Sequence, residues 1–221
     1  MMAKVFLSAG HGGSDPGAVV YGLKEKDINL NALLACQAEL VRHGVTVVCS
    51  RVTDVDDPVG QEVKEANASG ADVAVSFHAN AGGGDGFEAF YYPASSSGKR
   101  LAELCEKRVK ELGQNSRGIK DGGKLYFVKN TKMAAVLVES FFVDNVNDKS
   151  IGDTIAEQKA FGIAYAKAIL DYLGLAYNND ELIQDNSVYR VQVGAYKNKF
   201  NAEVMRDKLK SAGFEAMIVK S

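Results

Sequence analysis

The sequence predicts an α/β fold, in which a mostly parallel twisted sheet is flanked by helices. Apolar strand patterns alternate with amphipathic helix patterns along most of the 221 residues, which is typical of parallel sheets. Strands such as VTVVC at 45–49 are apolar on both faces, as a sheet covered by helices on both sides requires. Hydrophobic residues make up 46% of the chain and charged residues 24%, which excludes a mainly disordered protein.

The strands are predicted from short apolar runs that end at glycine, proline or polar residues. The first run, KVFLS, stops just before a glycine-rich segment, and DVAVSF runs directly into a histidine. The predicted strands cover 4–8, 45–49, 72–77, 87–92, 124–128 and 134–138.

The helices are predicted from apolar residues that recur on one face. The first helix stops at Gly44, a typical C-terminal signal, and its apolar face holds Leu30, Leu33, Leu34, Ala38 and Val41. The predicted helices cover 25–43, 58–69, 97–112 and 153–173. Residues 1–174 are therefore predicted to form one domain.

A polar, acidic segment at 175–186 is predicted to link this domain to a small module at 187–221. The pattern of the module predicts a β-α-β unit, with a strand in YRVQVGAY, a helix at 201–212 and a strand at 216–219. Seven basic and three acidic residues give the module a charge of +4 and leave −6 for the rest of the chain, which indicates two units with different partners. Units of this size rarely fold alone.

Several classes of protein are not expected. The tail has no dense basic run, so no nucleic-acid partner is predicted. No stretch approaches the ~20 apolar residues of a membrane helix, so no membrane association is predicted. The first residues, MMAKVFLSAGHGG, lack the pattern of a signal peptide. The three cysteines include no CxxC pair and are predicted to be buried free thiols.

Three residues suited to catalysis or metal binding lie at the ends of predicted strands. His11 follows the first strand on a glycine-rich turn, His78 follows DVAVSF, and Glu139 ends AVLVE. Open α/β sheets bind ligands at the carboxyl ends of their strands, so we expect these side chains to meet at one edge of the sheet. Imidazole and carboxylate groups suit zinc, and a catalytic zinc site has three protein ligands and water.

The remaining acid of such a site could be Glu25, Asp15 or Asp27. Glu25 opens the first long helix, close to the same edge. Acids also favour the first turn of a helix because of its dipole, so its position alone leaves metal ligand and ordinary first-turn acid equally open. His43, at the other end of this helix, is typical of a C-terminal cap.

Four segments in this order resemble the zinc-dependent N-acetylmuramoyl-L-alanine amidases of the amidase-3 type: SAGHGGSDPGA, LKEKDINLN, SFHANA and VLVESFF. Members of this family are peptidoglycan hydrolases, found among bacterial cell-wall enzymes, including autolysins, and phage endolysins. The resemblance covers residues 3–174. The chain departs from the family at SAGHGG, where DPGHGG is commoner, and before Ala66-Asn67, where many members have an arginine.

The resemblance implies that His11, Glu25 and His78 bind Zn²⁺ and that Glu139 is the catalytic acid and base. It places Asn80 beside the metal, in a structural or substrate-binding role. The implied reaction is hydrolysis of the amide between N-acetylmuramic acid and L-alanine by zinc-activated water. With no signal peptide, an endolysin-like protein is expected in the cytoplasm until it is released to the cell wall; an exported enzyme is the alternative.

Other functions fit parts of the sequence. A metal-independent glycosidase would use Glu25 and Glu139 as paired carboxylates, but it leaves His11 and His78 unexplained. A non-catalytic protein that binds the cell wall would keep the fold without turnover. A cysteine hydrolase is a more distant alternative, with Cys49 as its nearest candidate nucleophile.

The tail, from Tyr189 to Lys220, resembles one half of a SPOR domain. Such domains bind peptidoglycan glycan strands and usually contain two β-α-β halves. One hypothesis is that two chains pair their halves into one module, which gives a homodimer. The alternatives are a tail that packs on the catalytic domain and a truncated remnant.

Overall fold

A computed structural model describes residues 3–178, 192–214 and 216–219. The chain divides into two compact units, Met1–Asn178 and Asn179–Ser221. The linker predicted at 175–186 lies largely outside the described residues, so the predicted domain boundaries stay predictions.

The first unit contains eight strands and six helices among the described residues. The strands are β1 (Lys4–Ala9), β2 (Val19–Val20), β3 (Leu23–Lys24), β4 (Thr46–Cys49), β5 (Val73–Asn80), β6 (Phe87–Tyr91), β7 (Ser116–Asp121) and β8 (Ala134–Phe142). The helices are α1 (Glu25–Arg42), α2 (Val59–Ser69), α3 (Ser96–Lys110), α4 (Tyr126–Asn130), α5 (Val146–Lys149) and α6 (Ile155–Leu173).

Six strands form one sheet in the order β4-β1-β5-β8-β6-β7. The first four are parallel, β6 is antiparallel to β8, and β7 is parallel to β6. The predicted α/β class with a mostly parallel sheet is therefore confirmed. The chain leaves β1 for β4 on one side and returns to β5 on the other, which creates a switch point between β1 and β5, the usual place for a ligand in such sheets.

Helices cover both faces of this sheet. On one face, α1, α3 and α6 pack against alternate strand residues in a core that includes Leu33, Phe77 and Tyr165. On the other face, a smaller core joins α2 and α4 to Phe6 and Ala74. The alternation along β5 places Val75 and Phe77 toward the larger core, so that Ser76 and His78 face the side of α2.

The prediction of a strand at 124–128 is wrong. The chain turns at Gly122, where the backbone N–H donates to Tyr91 O, and then forms α4. Phe127 and Val128 are buried in the smaller core, so this short apolar run covers the sheet instead of extending it. Periodicity cannot distinguish a buried strand from a buried helical turn in a run of this length.

The edge strand β7 had no counterpart in the predicted elements. Its sequence, SRGIKD, is mostly polar and has one large apolar residue, Ile119. It forms because β6 offers a free edge with which it pairs in parallel. This strand carries two cationic side chains, Arg117 and Lys120, which both contact Glu88 on β6.

The second unit contains one helix among its described residues, α7 (Lys199–Ser211). Residues 192–196 and 216–219 are described and form no strand, so the predicted β-α-β pattern is wrong over these residues. The rest of the first predicted strand, 189–191, lies outside the described residues. A strand needs a hydrogen-bonding neighbour, and the described tail offers none.

Candidate metal centre and active site

The loop after β1 holds His11 in an unusual backbone conformation. His11 has φ +64°, a left-handed value that is uncommon for residues other than glycine. The next residues return in a bridge between Gly12 and Asp15. This turn brings the Asp15 carboxylate to the imidazole, with Asp15 Oδ2 at 2.8 Å from His11 Nδ1, and leaves Nε2 to face the start of α1.

Glu25 stands at the first position of α1 and lies between the two histidines. Its Oε1 is 3.2 Å from His11 Nε2 and 3.1 Å from His78 Nδ1. Its Oε2 accepts a hydrogen bond from the backbone N–H of Ala18 at 3.0 Å. The carboxylate is buried, with 6% of the residue exposed. The carboxylate is therefore held by both histidines and by the backbone N–H groups of Ala18 and Ala79.

His78 lies on β5, and its position depends on the absence of a side chain at Gly10. A Cβ at Gly10 would come within 2.0 Å of the His78 ring, so only glycine fits there. A similar constraint applies at Gly17, where a Cβ would lie 2.6 Å from Glu25 Oε2 and φ is +64°. The glycines in SAGHGG and DPGA thus let the backbone approach the cluster closely.

Together, His11, Glu25 and His78 form a group whose ligand atoms lie within 4.8 Å of one another. Two histidines and one glutamate form a donor set used by catalytic zinc sites. Hydrogen bonds with Glu25 and Asp15 raise the pKa of His11 to about 9, although burial opposes them. Burial by itself would raise the pKa of Glu25, but hydrogen bonds with the two histidines hold this pKa well below its ordinary value.

Glu139 faces this cluster from the neighbouring strand. It lies on β8 in register with His78 on β5. Its Oε2 is buried and has no hydrogen-bond partner within the described part of the chain. Burial raises the pKa of Glu139 to about 7, an effect that nearby Glu25 strengthens and His78 opposes. A carboxyl group with this pKa can both accept and donate a proton near neutral pH.

Asn80 lies at the end of β5, and protein groups engage both of its polar atoms. Its Nδ2 donates to Glu88 Oε2 at 3.2 Å, and its Oδ1 accepts from the N–H of Ala81. Glu88, on β6, is buried and in register with Glu139. These contacts favour the structural role over the substrate-binding role that the sequence left open.

A buried arginine that the sequence analysis did not select supports the His11 loop. Arg51 donates from Nε to Ala9 O at 2.9 Å and from Nη2 to Lys26 O at 2.8 Å. It thereby ties the end of β1 to the start of α1, the two elements that carry His11 and Glu25. An arginine two residues after a predicted strand is the one available signal, and it is not specific.

The other candidate residues lie elsewhere. Asp15 contacts the Nδ1 side of His11 and is not in the group of ligand atoms, while Asp27 is exposed on α1. His43 caps α1, with Nδ1 at 2.7 Å from Glu39 O, and stacks on Tyr177. Neither Asp15 nor Asp27 is therefore the third ligand in this geometry.

Comparisons with known proteins show the family to which the chain belongs. The Amidase_3 family model, described as N-acetylmuramoyl-L-alanine amidase, matches residues 5–171. The chain belongs to this family. The amidase is therefore a hydrolase that acts on peptidoglycan, as the sequence predicted.

Three relatives of the amidase match along about two thirds or more of their own length. The N-acetylmuramoyl-L-alanine amidase CwlM of Bacillus licheniformis is 33% identical over 99% of this chain and 85% of its own. The endolysin of Bacillus phage SPP1 is 39% identical over 74% of this chain and 66% of its own. The catalytic domain of the amidase CwlV from Bacillus (Paenibacillus) polymyxa has a TM-score of 0.74 and 31% identity, covering 79% of this chain and all of its own.

A second family model, the SPOR domain, matches residues 162–220 of the amidase. Its first part overlaps α6, whose buried residues, such as Tyr165 and Ile169, belong to the larger core. That part of the match is therefore packed inside the first unit. The SPOR match beyond α6 includes the tail that resembled this domain in the sequence.

The geometry of the amidase disfavours two alternative mechanisms. A glycosidase would need Glu25 as a free carboxylate, but its two oxygens contact His11, His78 and Ala18. A cysteine hydrolase would need a reactive thiol, but burial raises the pKa of Cys49 to about 11, which suppresses the nucleophilic thiolate.

Proposed function

We propose that this amidase is zinc-dependent, with His11, Glu25 and His78 as the metal ligands and Glu139 as the general base and acid. The observation that supports it is the convergence of three ligand atoms within 4.8 Å beside a buried carboxylate oxygen that lacks a partner among the described residues. The donor set fits zinc, and a catalytic site of this kind keeps a fourth position for water or substrate. Zinc bound by these residues would supply Lewis-acid chemistry, lowering the pKa of water and polarising the scissile carbonyl.

In this proposal, Glu139 acts first as a general base and then as a general acid on the same proton. It removes a proton from the attacking water and then delivers it to the nitrogen of L-alanine as the amide bond breaks. Its burial and its pKa of about 7 suit both roles. Asp15 holds the His11 ring through Nδ1, which fixes the nitrogen that faces the cluster.

The decisive experiment is digestion of purified peptidoglycan by the full chain with chelator, with zinc added back, and with Glu139→Gln. Mass spectrometry detects released stem peptides that begin with L-alanine. The proposal expects release only with zinc and intact Glu139, while the variant keeps its zinc content. Glu103→Gln, on the exposed face of α3, is the matched control and should retain activity.

Each alternative gives a different result in this experiment. New reducing sugar ends that form despite the chelator would support a glycosidase. Binding to the wall with no product from the zinc-loaded protein would support a non-catalytic wall-binding protein. Activity that survives Glu139→Gln would contradict the assigned base.

For the tail, we propose that two chains pair their SPOR-like halves into one homodimeric module that binds glycan strands. The described tail leaves large apolar side chains exposed, including Phe200 and Met217, and no residue of α7 is buried. A second copy would cover such side chains. Light scattering that finds only monomers at all concentrations would contradict this proposal.

We propose that the amidase is held in the cytoplasm and released to the wall, in the manner of an endolysin, with export as the alternative. None of the helices in the described residues has the length and apolar character needed to cross a membrane.

A further inference from the structure

A row of polar side chains continues from the candidate metal centre across the sheet. The proposed mechanism does not use the residues at the far end of this row. Glu139 is in register with His78 on one side and with Glu88 on the other. Beyond Glu88 lies β7, whose pairing with β6 is irregular between Phe87 and Ala89. We call Arg117 and Lys120, both on β7, the cationic pair.

The cationic pair meets a single carboxylate oxygen. Arg117 Nε lies 2.6 Å from Glu88 Oε1, and Lys120 Nζ contacts the same oxygen. Asn80 binds the other oxygen of Glu88. Two positive charges on one negative charge leave an excess of about one positive charge at this end of the row.

The excess charge is accessible to a ligand. The side chain of Arg117 is 46% exposed and that of Lys120 is 34% exposed, whereas that of Glu88 is 6% exposed. The Arg117 guanidinium lies over the Phe142 ring at 5.5 Å. Among the described residues, Arg117 forms its hydrogen bond through Nε, so its two terminal nitrogens can serve a bidentate contact with a carboxylate.

The proposed mechanism fixes which part of the substrate passes this pair. Glu139 protonates the departing nitrogen, so the leaving peptide must begin on the Glu139 side of the metal centre. Neighbouring strands lie about 4.8 Å apart, which places β7 about 10 Å from β8. One extended residue spans about 3.5 Å, so a carboxylate on the residue after L-alanine can reach this distance.

We propose that Arg117 and Lys120 form a subsite for a carboxylate on the residue that follows L-alanine in the stem peptide. This inference rests on the proposed function. It assigns to the pair a role in specificity and none in the chemical step. If the cationic pair served only to neutralise the charge of Glu88, a single cation would suffice.

The test compares two soluble substrates with the zinc-loaded full chain. One is the disaccharide N-acetylglucosaminyl-N-acetylmuramoyl-L-alanyl-D-glutamate with free carboxylates, and the other is its fully amidated form. Because charge-assisted hydrogen bonds are worth more than neutral ones, the chain should prefer the acid by about tenfold in kcat/KM. Arg117→Gln and Lys120→Gln should each reduce this preference, mainly through KM, and Arg117→Lys should retain part of it.

The ratio of acid to amide cleavage is measured within one protein sample, so a partly unfolded variant does not distort it. Lys107→Gln, on the exposed face of α3, is the matched control for loss of a positive charge and should keep the full preference. Equal cleavage of both substrates by the unaltered chain, or a full preference in the Arg117→Gln/Lys120→Gln double variant, would overturn this inference alone. Cleavage of neither substrate would overturn the proposed function and this inference with it.

Discussion

The imidazole of His11 lies between two carboxylates that act on it in different ways. Glu25 meets Nε2 from the start of α1, and Asp15 meets Nδ1 from the same loop. The side chain of Asp15 is 65% exposed, so its ion pair with His11 contributes little stability. Its contact orients the imidazole ring. Orientation by such an outer carboxylate is a common feature of histidine metal ligands.

We therefore expect Asp15→Asn to weaken zinc binding by about 10- to 100-fold, the usual effect of losing such a partner. Competition with a chromogenic chelator measures this affinity. Asp27→Asn is the matched control, because Asp27 is exposed and lies outside the ligand group. Equal affinities for the two variants would show that Asp15 does not orient His11.

Zinc binding should also depend on pH. Glu25 and Asp15 raise the pKa of His11 to about 9 in the metal-free protein, so the imidazole carries a proton at neutral pH. A metal must displace this proton, and zinc affinity should rise as pH increases from 6.5 toward 9. Calorimetry in buffers of different ionisation enthalpy measures the released proton, and an affinity that is constant over this range would contradict the expectation.

At the level of elements, the candidate metal centre depends on how closely α6 packs against α1. A Cβ at Gly162 on α6 would come within 2.1 Å of the backbone oxygen of Ala32 on α1. The two helices therefore touch through backbone at this point, and α1 begins with Glu25. A change at this crossing would displace the helix that carries a proposed ligand.

Gly162→Ala should accordingly destabilise the protein by about 1–3 kcal/mol, the usual cost of overpacking a core, and should also weaken zinc binding. Gly60→Ala, in α2, is the matched control, because a Cβ there meets nothing within 4 Å. In a helix, this change should be neutral or stabilising by up to about 1 kcal/mol. Urea denaturation measures both, and a Gly162→Ala protein as stable as the Gly60→Ala protein would refute the close crossing.

At the scale of the whole molecule, both hydrophobic cores belong to the first unit. Their buried residues run from Val5 to Leu170, and the described tail adds none. The residues proposed for catalysis and metal binding lie within the same unit, from His11 to Glu139. Stability and turnover should therefore depend on the first unit, whereas the SPOR match makes the tail the candidate for wall binding.

A chain that ends at Asn178 should keep its thermal midpoint and its turnover of soluble muropeptide, and it should lose affinity for insoluble peptidoglycan. Thermal unfolding, the soluble substrate assay and a pelleting assay measure these three properties. The full chain with Glu139→Gln serves as the control that binds without turnover. Pelleting that survives the truncation would assign wall binding to the first unit.

Much of the fold could be predicted from local patterns. The apolar runs at β1, β5 and β8 and the amphipathic faces of α1, α3 and α6 specify their elements because burial on a covered sheet demands that pattern. The wrong or missing predictions, at α4 and β7, also come from relying on local apolar patterns. The run that forms α4 is too short to show a period, and β7 is too polar to show one, so only packing against the sheet decides them.

The sequence by itself determined the α/β class, the strand-end positions of His11, His78 and Glu139, and the family resemblance. The resemblance already selected Glu25 over Asp15 and Asp27. Only the tertiary structure decided that Glu25 Oε1 lies between the two histidine rings and that β7 brings Arg117 to Glu88. The physical reason is that strand register and helix packing set the distances between residues far apart in the chain. Local sequence shows which side chains can reach the edge of the sheet, and the packed backbone selects those that meet.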